Sequence, residues 1–596
     1  MTRESMVGIS LMPQDEALVY HRVSILKTVS RLVSRGSETM KQIFPIALMA
    51  LVTFAGVSVS QGATRITTAS GGNWTNTLTW SGGVVPASTD NAVILAGASV
   101  TVTTNATANS IIFSNNAAGT ATLTVNSGVT LTVTSGITNQ NGGSINTSVQ
   151  LQGAGTINCA SLTVGGTTTP SVTSSDYLTT LTSTVSNLTV SGSLSVSALY
   201  NSSLSAANQG VFALSSGTVT VNGGIVFVTV PLFGPTLTLA SGNQNGTLTL
   251  SGSTPFTITG GGSSTFTANG TNATVIYSGT AQTVQTATYQ NLVLSGSGTK
   301  TTTGVTVNGT LSRQGTATAS AAPAYGTNSM LEYKGSAAQT SGPELTTSLA
   351  SLTINNVNGV TVASSPTISN TLTLASGKLN TGTYQINLGT NGFISGGSAA
   401  SYVNGNLQKA FSTGTKTFTF AIGDASAYAP LTLSNLTVNT SGSVKANTTS
   451  GSHPQFGTSG LDPNRNVNRY WTLTQSGGAF GTYNAAFNYP TTDVDISASP
   501  SQFAVRCWTG SAWSPATVNG IPTTTIASII GQSGFGDFVI GNTSPWYNGA
   551  WLYRMAITID HTKVAGPLTN FPVLISLPTA PSNNMPKPAA TISCSR

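Results

Sequence analysis

The residues of this 596-residue chain able to do chemistry are few and scattered. Between Arg65 and Lys300 there is no lysine or arginine, and the only acids are Asp90 and Asp176; the next acid is Glu332. Cleaving a polysaccharide takes clustered carboxylates, often with a calcium ion or an arginine base. Asp90 and Asp176 stand 86 positions apart, too far to cooperate across one bond. The three histidines are His21, His453 and His561. None comes with an obvious nucleophile and carboxylate set, and His453 and His561 are expected to be solvated or hydrogen-bonded surface residues. Cys159, Cys507 and Cys594 are odd in number and form no CxxC pair. That excludes a zinc site and a disulfide framework, and leaves small buried hydrophobes or a stray exposed thiol. Asp493 and Asp495 would share one side of a strand, where a weak calcium site competes with a solvated turn. Gly260-Gly261-Gly262 runs into Ser-Ser-Thr and lacks the aspartates of a calcium-binding glycine-rich repeat. No catalytic, cofactor-binding or metal-ligating set emerges, and the chain does not read as an enzyme.

Binding is a better prospect than catalysis. Arg469, Tyr470, Trp471, Trp508 and Trp513 form the densest aromatic and arginine set. They are the candidate carbohydrate platform, against core and strand-edge packing as the simpler reading. Trp74 and Trp80 are a second aromatic pair. Thr-x-Thr pairs recur at Thr101/Thr103, Thr122/Thr124, Thr130/Thr132, Thr218/Thr220 and Thr247/Thr249. Each pair points to one side of a strand. A flat array of them would order water and bind ice, which requires regular repeats; the same pairs also simply coat a solvated sheet. The formal charge of +7 is no sign of nucleic-acid binding, because six of the 21 basic and four of the 14 acidic residues lie before residue 64. The rest are thinly spread, with no dense basic patch.

The elements that must position these residues are strands. Thr120–Val133 reads TATLTVNSGVTLTV, apolar at every second position, the period of a strand with one buried face. Asn, Ser and Gly punctuate the runs and suit tight turns. Charged residues are 6%, against roughly 25% in a typical soluble protein. Such a composition would permit disorder, but strict alternation and 39% hydrophobic content argue against it. Helix-period segments are missing, which excludes alternating strand–helix units.

Asn/Ser-Gly-Thr/Ser-Leu turns recur at Ser191–Leu194, Asn245–Leu248 and Asn308–Leu311. A larger unit also recurs. Tyr277-Ser278-Gly279 leads to Asn291–Leu294, and Tyr333-Lys334-Gly335 leads to Ser351–Ile354. The 60 residues from Leu292 to Leu352 fit about three repeats of twenty-odd residues. Stacked repeats of this kind predict an all-β fold: a right-handed parallel β-helix, or solenoid, over 64–400. From 401, aromatics and charges return on strands of five to eight residues, predicting an antiparallel β-sandwich over 401–542.

The string Gly72-Asn73-Trp74, Thr79–Pro86, Asp90 and Val93-Ile94-Leu95 resembles the opening of β-solenoid regions in secreted or surface proteins of bacteria. The resemblance implies that the paired tryptophans cap the first coil. Asn468–Leu473 and Gly536–Gly541 are similar to a module that follows such regions, with no activity attached. Trp551–Arg554 and Asn570–Leu574 resemble the start of a β-rich domain of unknown function in secreted bacterial and archaeal proteins, often followed by a lectin-like jelly roll. Here that domain would be partial, over 546–596, and cut short. Met40–Ala63 reads as a signal peptide, with Met40 the expected true start and 1–39 an N-terminal extension upstream of it. Its apolar run of about 17 residues is shorter than the roughly 20 of a membrane span, so no stable span is expected in the mature chain. The expected place is outside the cell or on its surface, outer-membrane associated. The expected role is structural or adhesive, with surface glycans or other cell-surface proteins as partners and no nucleic acid.

Overall fold

The computed structural model describes residues 62–544, except 115–118, 141–144, 166–175, 204 and 240–244. The expected signal peptide apart from its last two residues, the 1–39 extension, the partial domain at 546–596, His21, His561 and Cys594 lie outside the described residues. The chain is all-β, with a large and mostly parallel sheet. Among the described residues no helix is long and apolar enough to cross a membrane.

Alternation dictates the packing. In Thr120–Val125 the exposure pattern alternates, with Ala121, Leu123 and Val125 fully buried. Successive strands pair parallel and in register, so inward residues line up. Leu131 pairs with Ile157, and the column continues through Leu188, Val219, Leu248, Val275, Leu292, Leu311, Leu331, Leu352 and Leu372 to Ile394. The steps are 26–31 residues long as far as Val275 and 17–22 beyond it. The stretch from Leu292 to Leu352 is crossed in three pairings. Each buried leucine contributes about 1.5–3 kcal/mol of apolar burial. The outward neighbours form the complementary column, Thr130, Thr156, Asn187, Thr218, Thr247 and Thr274.

The interior is not purely apolar. The column beside the leucines runs Leu250, Tyr277, Leu294, Arg313, Tyr333, Ile354. Arg313 is therefore buried, and it pairs with Glu344. Arg313 Nε donates to the Ala317 carbonyl at 2.9 Å, and Tyr333 Oη donates to Glu344 at 2.9 Å. Tyr277 and Tyr289 share a hydroxyl hydrogen bond at 3.0 Å. The recurring Tyr-x-Gly units end in Gln282 and Gln339, whose amides bond buried carbonyls, Leu250 at 2.9 Å and Arg313 at 3.1 Å. Gly377, at φ +80°, sits so close to the Asn356 carbonyl that a Cβ would lie 1.7 Å from it.

Parallel pairing ends in the strand Val403–Phe411. It pairs parallel with Leu379–Leu388 and antiparallel with Gly442–Ser450. From there the sheet continues antiparallel through Leu461–Ser476, Asp537–Thr543, Ala504–Trp508 and Trp513–Val518. A second antiparallel set contains Gly414–Phe420, Leu431–Thr440, Tyr483–Asn488 and Ile526–Gln532. Trp471 and Phe538, from the first set, meet Phe487, from the second, at ring distances of 5.1 Å. One hydrophobic core runs from Trp74 to Ile540.

Candidate functional site: a carboxylate and aromatic row

The acids of the parallel region serve the fold. Asp90 accepts from the Ala87 and Ala63 backbone N–H groups and from Arg65 Nε at 3.0 Å. The Ala87 bond leads in holding its carboxyl below the usual value, burial opposes it, and Arg65 assists. Asp176 accepts from Ala207 N–H at 2.9 Å. Glu332 bonds Ser312 Oγ on the outward side at 2.7 Å, whereas Glu344 is wholly buried. Trp74 and Trp80 are 1% and 2% exposed, which leaves no surface for a sugar. They pack edge to face at 5.1 Å, and Trp80 Nε1 donates to the Trp74 carbonyl.

The five aromatic and arginine candidates divide between two faces of one sheet. Arg469 and Trp471 are two apart on Leu461–Ser476, point inward and are fully buried. Arg469 donates to Asp424 and Asp493, each at 2.7 Å, and to Ser426 Oγ at 3.1 Å. Trp471 Nε1 donates to the Ala429 carbonyl. Asp493 and Asp495 do not share a strand face. Asp493 closes a 3-10 turn against Arg469, and Asp495 accepts from the backbone and side-chain amides of Asn466 and from the side-chain amide of Asn468.

The opposite face gathers Tyr470, Trp508 and Trp513. Residues directly opposed on neighbouring strands project from the same face. Asn447 opposes Thr472, Thr472 opposes Asp537, Asp537 opposes Trp508, and Trp508 opposes Trp513. Five strands thus place a carboxylate between two hydroxyl- and amide-bearing residues and two indoles. His453, from the loop after Gly442–Ser450, joins the row. It is 6% exposed, a correction to the expectation of a surface histidine, and its Nε2 lies 2.9 Å from Asp537 Oδ2. The Gln455 N–H donates to His453 Nδ1 at 3.1 Å. Nδ1 is therefore the acceptor, and Nε2 carries the proton towards the carboxylate. The Tyr470 and Trp513 rings meet the imidazole edge-on at 5.0 and 5.2 Å.

The loop covers part of this face. Phe456 and Leu461 pack on Val539, with Tyr470 and Trp513 alongside, and Trp513 Nε1 is bonded to the Gln455 carbonyl and Thr458 Oγ1. Beside the covered part lies a shallow cleft of about 360 Å³ lined by Thr472–Gln475, Trp508–Gly510 and Phe535–Asp537. Gly536 makes its floor possible, because a Cβ there would lie 2.1 Å from the Trp508 carbonyl. Asp537 keeps 24% of its side chain exposed. Among the described residues, its Oδ1 and the Trp508 indole N–H have no hydrogen-bond partner.

Sequence reasoning missed His453 and Asp537, which are 84 positions apart. Strand parity was available as a signal: Val467, Trp471 and Leu473 share the parity of Arg469, whereas Thr472 and Thr474 share that of Tyr470. Among the described residues, no group of three or more His, Cys, Asp or Glu could hold a metal ion. Comparison with protein-family models, curated proteins and solved structures finds no match to this chain.

Proposed function

We propose that this chain is an exported, non-catalytic structural or adhesion protein. In this reading 64–400 is a right-handed parallel β-solenoid stalk and 401–542 is a β-sandwich module at its end, on or outside the cell surface. The observation that carries it is the succession of parallel pairings, strand on strand, around one continuous core. From Arg65 to Ile394 the chain makes fourteen pairing steps. At about 4.8 Å each, that is a stack about 65–70 Å long. The low charge and the threonine-coated outer columns suit a solvated, protease-resistant spacer. The structural employment of Asp90, Asp176, Glu332 and Glu344 supports a role without bond cleavage.

Small-angle scattering and negative-stain microscopy of the full chain test the stalk. An elongated particle at least as long as the stack is expected, and a compact sphere refutes the reading. Incubating the protein with plant, algal and bacterial polysaccharides should release no reducing or unsaturated ends. Reproducible release would make the chain an enzyme.

A further inference from the structure

The geometry points to the Trp508–Asp537 cleft as a binding site for a neutral pyranose residue of a glycan, its C–H face on the Trp508 indole and its ring hydroxyls on Asp537 Oδ1. The inference goes beyond the stalk reading and does not depend on it. Four observations carry it. Trp508 offers a part-exposed ring with an unused N–H. Asp537 is held from behind by His453 Nε2 on Oδ2, which leaves the other oxygen directed as an acceptor. Thr472, Thr474, Gln475 and Thr509 supply neutral hydrogen-bonding groups around the opening. The volume, about 360 Å³, is at the lower end of the roughly 300–1,000 Å³ of small-ligand sites.

The chemistry selects the ligand class. A sugar ring has one apolar face and a rim of hydroxyls. An indole beside a carboxylate satisfies both, by stacking and by a charge-assisted O–H···O bond. A purely apolar ligand would strand Asp537 against carbon, and an acidic sugar would meet its charge. Two cations flank the cleft on this face: Lys445 opposes Thr474 at the wall, and Arg506 lies two residues before Trp508 on the same strand. If Lys445 or Arg506 rather than Asp537 governed recognition, uronates and sulfated sugars would win.

The test is a glycan array probed with the purified full chain, followed by titration of the hits. Neutral oligosaccharides are expected to bind, with a Kd for one ring of about 1 mM, raised in avidity by array display. Trp508→Ala and Asp537→Asn should each weaken binding by tenfold or more. Thr474→Arg, at an exposed position on the wall, should block it while leaving the core untouched; circular dichroism and melting of each variant check the fold. A folded Thr474→Arg protein that binds as well as the unaltered chain overturns the proposal. So does a preference for acidic glycans, or no binding to neutral glycans. None of these outcomes touches the particle length that tests the stalk.

Discussion

Replacing Arg469 by methionine removes the cation on which the inner face of the antiparallel region depends. Its guanidinium is fully buried and bonds two carboxylates, Asp424 and Asp493, each 16% exposed. Breaking a buried pair by removing one partner costs about 3–5 kcal/mol, mostly because the other charge is left uncompensated. The residual exposure lets water reach both aspartates, so the lower figure applies, about 3 kcal/mol. At 1.4 kcal/mol per factor of ten, that is about a 100-fold loss of hydrogen-exchange protection. The assay is exchange mass spectrometry of peptides spanning 461–476 and 537–543 in the full chain. Acid provides an independent check. Burial pushes the Asp424 carboxyl up, but bonds from Arg469, Ser426 and the Ala427 N–H outweigh it and hold the group well below its ordinary 3.8. A depressed carboxylate stabilises the fold above the unfolded value and loses that contribution as pH falls below about 4. Arg469→Met should flatten the steepening below pH 4. A protection change under threefold, with the acid profile unaltered, would refute the account and return Arg469 to the list of surface candidates.

Two further expectations concern the parallel region and the thiols. Leu311→Ala, between Leu292 and Leu331 in the inward column, should cost about 2–5 kcal/mol and open a new site of limited proteolysis within one or two repeats of residue 311. An unchanged digestion pattern and melt would show that the columns do not carry the stack. Cys159 and Cys507 are buried, and burial raises both thiols to about 12. Peptide mapping should find both unmodified by a thiol reagent at pH 8 in the native protein and modified once guanidinium is added.

The all-β class and the inward and outward choice within strictly alternating strands such as Thr120–Val125 were legible because a two-residue period is a local property of the chain. The spacing of the repeated Tyr-x-Gly units also located the register, since Leu292, Leu311, Leu331 and Leu352 fall opposite one another. Longer steps before Val275 hid the same order, because loops of unequal length interrupt any fixed period. The ion pair of Arg313 with Glu344 was not legible at all. Arg313 sits in a polar-looking stretch, Ser312-Arg313-Gln314, and only the cross-strand column containing Leu294 and Tyr333 shows that its position faces inward. Its partner comes from a loop 31 residues away.

The aromatic set shows where a sequence stops and a sheet begins. Tyr470 and Trp471 are adjacent in the chain, so composition groups them, yet adjacency on a strand sends them to opposite faces. What unites residues into a site on a sheet is lateral register, which joins Thr472, Asp537, Trp508 and Trp513 from four separate strands. Arg469 and Trp471 are the inner counterpart of that row, and they fix its geometry. Trp471 opposes Phe538, which opposes Cys507, one residue away from Thr472, Asp537 and Trp508 on the same three strands. The buried row therefore sets the register in which the outer row meets, and an outer carboxylate beside an indole is a consequence of inner residues that never reach the surface.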